Sequence, residues 1–119
     1  MNGQIALPGL ELPTSSRVSV KIEVTGDLNV SAFVARQKAN RFLILEAGDQ
    51  LRAGTPELIV HHVLSWRVPI EYAPSKSGVL GIVGHLLVDG ETGEITIADG
   101  QTAEDLLTRA EALYARTTL

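Results

Sequence analysis

From Trp66 to Ile97 the chain reads WRVPIEY, APSKSG, VLGIVGHLLVD, GETG and EITI. Apolar stretches of strand length alternate with clusters of turn residues, and this punctuation describes strands joined by hairpins. In the first stretch Trp66, Val68, Ile70 and Tyr72 share a side, opposite Arg67, Pro69 and Glu71. Pro69 has no N–H to offer a ladder, so the strand is an edge there or carries a bulge. Residues 73–78 make a hairpin loop. Residues 79–89 are apolar on both sides, as in a strand covered on both faces, and Gly81 and Gly84 within them mark a bulge or a close neighbour. In the DGETGE hairpin, Asp89 can bond the turn amides and Gly93 can take a positive φ. Ile95 and Ile97 then share one face of the returning strand.

Upstream, RVSVKIEV at 17–24 alternates with period two. Val18, Val20, Ile22 and Val24 point one way, and Arg17, Ser19, Lys21 and Glu23 the other. That is a half-buried strand with its polar face in water. Residues 31–47 predict a helix, capped by Asn29 or Ser31 and stopped by Gly48. Ala32, Ala35, Ala39, Phe42 and Leu43 form its inner face. Its last turn, Phe42 to Leu45, is apolar almost all round and is expected to be deeply buried or in an interface. Residues 49–57 read as a loop, and 58–72 as two strands divided near His61 to Leu64. A last helix is expected from about Thr102 to Arg116, with Thr102 and Asp105 as a capping box and an apolar stripe of Ala103, Leu106, Leu107, Ala110, Leu113 and Tyr114.

The expected fold class is therefore α+β: an antiparallel sheet of four to five strands with two helices, in the order β-α-β-β-β-β-α. Residues 1–16 read as an extended N-terminal arm and 17–119 as a single domain. A chain of 119 residues suits one core, and a 45% hydrophobic content argues against disorder. The arm carries Ile5, Leu7, Leu10 and Leu12, which pack over their own domain or dock on a partner chain.

Composition excludes several functions. The chain has no Cys, which removes disulfides, thiolate chemistry and sulfur-liganded zinc. No apolar run reaches the ~18 residues of a membrane span. The N-terminus lacks a basic region ahead of an apolar one, so the expected location is cytoplasmic. A net charge of −4 with scattered cations argues against nucleic acid as a partner.

The candidate chemistry is sparse. His61 and His62 are neighbours, which point to opposite faces on a strand and can act together only in a turn. His85 lies in another strand, alternating with Val83 and Leu87. A site combining His85 with one of the pair and an acid is the conceivable route to a ligand or an enzyme. Asp89, Glu91 and Glu94 lack the oxygen count and spacing of a calcium loop. Gly78, Gly81 and Gly84 lack the dinucleotide spacing, and Ser75-Lys76-Ser77-Gly78 lacks the order of a P-loop. No nucleophile elbow is present. Trp66, the lone Trp, is a core residue or an interface anchor.

A helix ending in an apolar turn, then Trp66 and Val68 in W-x-V-P-I, then Val88, Asp89, Thr92, Gly93, Glu94 and Ile95 in V-D-x-x-T-G-E-I, resembles the PepSY-type domain family and some small bacterial immunity proteins. The resemblance spans about residues 31–98. It implies a non-catalytic module that binds or restrains another protein, and it carries over no catalytic residue. The chain departs from the family in its strand at 17–24, its last helix and its lack of an anchor.

The residues thus lead to a non-enzymatic protein-interaction domain with no cofactor, whose partner is a second copy of itself or another chain. Phe42, Leu45, Trp66 and Tyr72, with the four arm aliphatics, are the interface candidates. A toxin-neutralising antitoxin or immunity protein is a narrower form of this reading. A ligand binder or enzyme built on His85 or on His61 and His62 is the competing one.

Overall fold

The computed structural model describes residues 17, 19, 21, 23, 25–74 and 78–117. It is an α+β structure: α1 (Ala32–Ala47), β1 (Leu51–Ala53), β2 (Glu57–Val60), β3 (Leu64–Tyr72), β4 (Gly81–Asp89), β5 (Ile95–Ile97), a short 3-10 turn (Ala98–Gly100) and α2 (Ala103–Thr117). The five strands form one curled antiparallel sheet, ordered β1-β3-β4-β5, with β2 also on β3.

Both helix starts follow from local chemistry. The Ser31 hydroxyl accepts from the Val34 amide at 3.2 Å, and Gly48 ends α1 at φ 93°. At α2 the Thr102 amide donates to Asp105 Oδ2 (2.8 Å) while the Asp105 amide donates to Thr102 Oγ1 (3.2 Å). This reciprocal box satisfies two otherwise orphaned donors.

β1 and β2 lie end to end along the same side of β3. Leu51 pairs with Tyr72 and Ala53 with Ile70, whereas Glu57 pairs with Arg67, so one extra residue enters between them. Pro69 sits opposite this interruption. Its carbonyl accepts from the Gly54 amide at 2.8 Å, so its nitrogen also points toward β1 and β2, where the broken ladder asks for no donor. A central strand thus tolerates its proline by means of a bulge in its neighbour. β1 itself lies inside the stretch that the sequence reads as a loop. It is only three residues long, too short to show a period.

A second irregularity falls between β3 and β4. Ile70 pairs with Gly84 but Glu71 with Ile82, leaving Val83 as the extra residue. Val83 and Gly84 are both buried as a result. A Cβ on Gly84 would lie 2.6 Å from Leu106 Cδ2, and one on Gly81 would lie 2.7 Å from Leu113 Cδ2. Both glycines let α2 close down on β4, so the bulge and the close neighbour are both present.

The core fills the space between helices and sheet. Ala35, Ala39 and Leu43 of α1 and Leu106 and Ala110 of α2 meet Val68, Ile70, Tyr72, Val83, Leu86 and Val88. Small residues on α1 allow close approach. Trp66 is half-buried on this side, and its indole donates to the Val30 carbonyl at 2.7 Å. The outer side of β1 is closed by α1: the Ala53 amide donates to Asn40 Oδ1 (2.8 Å), and Arg36 Nε donates to the Ala53 carbonyl (3.1 Å). This is one way to blunt a sheet edge.

Of the expected first strand, Arg17, Ser19, Lys21 and Glu23 are described; they are exposed and carry no strand assignment, and the alternate residues lie outside the described set. So do Ile5, Leu7, Leu10 and Leu12.

Gly90 is the tightest backbone crossing. Its amide donates to the Leu64 carbonyl at 2.8 Å, and its own carbonyl accepts from the amides of Asn29 and Val30. A Cβ there would stand 2.7 Å from the Leu64 carbonyl oxygen, which is backbone and cannot swing aside. Gly90→Ala is expected to cost about 2 kcal/mol, as overpacking does. Urea unfolding measures this, and an unchanged midpoint would show that the crossing is loose.

Candidate functional site

Two surfaces stand out once the core is assigned. One is the sheet face turned away from the helices. The other is the outer side of α1.

On the sheet, alternation sends Ser65 and Arg67 of β3, His85 and Leu87 of β4 and Thr96 of β5 to the open face. Together with Ile59, His61, Val63, Asp89, Glu94, Ala98 and Asp99 they line a trough of about 550 Å³. β4 therefore has a helix-covered face and, among the described residues, no second layer on the other. Its continuous apolar run comes from Leu87 and Ile82 on that open side, Ile82 being 58% exposed.

The trough brings His61 and His85 to one concavity. His61 and His62 belong to the hairpin between β2 and β3, with ring centroids 4.2 Å apart, and the His61 amide donates to the Val63 carbonyl at 3.2 Å. His61 Nε2 is buried and has no hydrogen-bond partner. Burial lowers the proton affinity of His85, and the Arg67 guanidinium adds to this; Asp99 and Glu57 oppose both. Arg67 itself is held by Glu57, Nη2 to Oε1 at 2.8 Å. Asp99 takes a left-handed conformation at φ 62°, which Asp tolerates better than most residues. Among the described residues, no group of three or more His, Asp or Glu side chains is placed to hold a metal ion.

At the end of the trough the DGETGE turn is built as its residues predict. Asp89 Oδ1 accepts from the amides of Glu91 (2.8 Å) and Thr92 (2.9 Å), and Gly93 takes φ 78°. The amide of Thr92, then that of Glu91, holds the Asp89 carboxyl below its ordinary value of 3.8. Asp89 lines the trough, but its oxygen is committed to the turn.

The outer side of α1 presents Phe33 (70% exposed), Ile44 (59%) and Leu45 (72%). Viewed down the helix these side chains lie opposite Ala35, Ala39 and Leu43. The last turn of α1 is thus divided, with Leu43 fully buried, Phe42 half-buried against the core, and Ile44 and Leu45 outside. Of the interface candidates among the described residues, Leu45 is on the surface. Tyr72 is buried, and Trp66 and Phe42 pack against the core. Phe33 and Ile44 were legible as surface residues from the same wheel that selects Ala35, Ala39 and Leu43. Arg67 and Asp99 carry no signal of their own in the sequence, because their meeting with His85 depends on the register and on the turn after β5.

Two predictions follow from this chemistry. Asp89→Ala removes an acceptor of two backbone N–H groups and is expected to cost about 1 kcal/mol, with Asp89→Asn costing less because its amide oxygen still accepts. The midpoint of urea unfolding reads both; equal loss in both would assign the effect to charge. For His85, the folded value lies below the ordinary 6.5, so below that pH the unfolded chain takes up a proton that the folded chain resists. Stability is expected to fall as pH drops below 6.5, and His85→Gln to flatten that fall. An unchanged pH profile in the variant would contradict the shift.

No protein-family model matches this chain, and no curated protein or solved structure matches it either.

Proposed function

We propose that this chain is a non-enzymatic protein-interaction domain that associates with a second copy of itself through the outer side of α1. The observation that carries this reading is the exposure of Phe33, Ile44 and Leu45 on one helix side. Scattered single apolar residues on a surface are ordinary; three large ones on one side of one helix are not. Helix α1 is anchored to the sheet by Asn40 and Arg36 as well as by its alanines, so this side is a rigid platform. Phe33 lies at the start of α1 and Ile44 and Leu45 at its end, about 17 Å apart along the axis, with Gln37 and Arg41 between them on the same outer side.

A second reading has its own support. His61 and His85 line the same trough, and the buried Nε2 of His61 has no hydrogen-bond partner among the described residues. Ligand sites are concave, with a few convergent polar groups. A small anionic or hydrogen-bonding ligand held there would make the domain a ligand binder.

Light scattering separates the two. The full chain at tens of micromolar is expected to show twice the mass of one chain. Phe33→Ser combined with Leu45→Ser is expected to halve that mass with unchanged helix content, because exposed substitutions rarely disturb a fold by more than ~0.5 kcal/mol. A wild-type mass equal to one chain would overturn the self-association reading.

A further inference from the structure

The outward residues of α1 are arranged symmetrically along the helix. Phe33, Val34, Gln37, Arg41, Ile44 and Leu45 are all exposed, on the side away from Ala35, Ala39 and Leu43. Four of them, Val34, Gln37, Arg41 and Ile44, follow the alternating three- and four-residue spacing of a seam between two packed helices. The six also fall into three pairs: Phe33 with Leu45, Val34 with Ile44, and Gln37 with Arg41. Each pair is centred on Ala39. The surface therefore has an apolar patch at each end and a polar pair in the middle, and it reads alike from either end.

Such a surface is complementary to itself when a second copy runs the other way. A two-fold axis at the level of Ala39 brings residues equally far from Ala39, on opposite sides of it, to the same height. Phe33 and Val34 of each chain then meet Ile44 and Leu45 of the other. The apolar ends, separated on one helix by about 17 Å, cover each other as two equal clusters. In the middle, Gln37 lies beside the other chain's Arg41, twice, and its amide oxygen can accept from the guanidinium. A parallel pair sets like beside like instead. The two Arg41 side chains would then share one height in the seam, with no acid among these six residues to offset them. Polar groups in a helix seam select orientation in this way, at some cost in affinity. An unrelated partner would use the apolar residues but not their shared midpoint; a second copy uses both.

We propose that two copies of this chain pair through α1 as antiparallel helices about a two-fold axis beside Ala39, with Gln37 and Arg41 setting the orientation. This rests on the self-association reading and adds to it the direction and register of the pair. Symmetry makes each contact occur twice, so six residues per chain supply both apolar clusters and both polar contacts.

The chain has no cysteine of its own, so disulfides report the geometry without ambiguity. Two single variants of the full chain, Val34→Cys and Ile44→Cys, are oxidised mildly, alone and as an equimolar mixture, and the products are resolved by intact mass. Cys packs as a small apolar residue, so both variants are expected to keep the two-chain mass in light scattering. In the antiparallel pair, position 34 of one chain is level with position 44 of the other. Two copies of position 34 stand about 15 Å apart along the axis, beyond the reach of a disulfide. The mixed disulfide is therefore expected to form at least tenfold faster than either variant links to itself. Phe33→Cys with Leu45→Cys, also level, repeats the comparison if the first pair weakens association. Self-linking of Val34→Cys as fast as mixed linking would overturn the antiparallel arrangement and leave self-association standing. A two-chain mass with no mixed link in either pair would do the same. A one-chain mass for the unmodified chain would overturn both.

Discussion

The ladder between β3 and β4 supports every other part of this structure. These are the two nine-residue strands, and every other strand pairs with one of them. Their pairing aligns Val68 and Ile70 with Leu86 and Gly84 on the helix side, and Arg67 with Leu87 on the other. A slip of one residue would exchange those faces. The irregularities are arranged around this ladder: Pro69 faces the bulge between β1 and β2, and Val83 is the extra residue where Gly81 and Gly84 admit α2. The bulges keep both faces in phase where a regular pleat would turn a core residue outward.

Both helices lie on one side of the ladder, and this determines the surfaces. Ala35 and Ala39 bring α1 down onto the sheet, which uses one side of that helix and turns Phe33, Ile44 and Leu45 outward. On the opposite face of the sheet the same alternation that buries Leu86 and Val88 brings His85, Leu87 and Arg67 together. The trough and the apolar helix side are therefore both consequences of one-sided coverage. The electrostatics of His85 follow as well: a half-buried imidazole beside a guanidinium is cheapest to leave neutral.

Much of this was legible in the residues. The hairpin at 89–94, the cap of Ser31, the reciprocal Thr102 and Asp105 box and the division of 58–72 at the histidines each rest on interactions spanning a few residues, and each is present. The two-sided choice at Pro69 resolves as a bulge because the proline lies in a central strand. What the sequence could not show was non-local. β1 is too short to carry a period, so it reads as loop. The apolar run of β4 suggested cover on both faces, whereas among the described residues only the helix side is covered and Ile82 stands exposed on the other. His61 and His85 line one trough because β2, β3 and β4 are consecutive in the sheet, and the neighbouring Arg67 and Asp99 could be found only through that order. Phe42 to Leu45 read as one apolar turn; its division into inner and outer residues required the direction of the sheet beneath it.

The central claim is that the outer side of α1 is covered by a second copy of this chain. Thermal unfolding at protein concentrations spanning a hundredfold tests it most directly, because association with the folded state stabilises by mass action. The account predicts a midpoint that rises steadily with concentration. A midpoint independent of concentration across that range would contradict it.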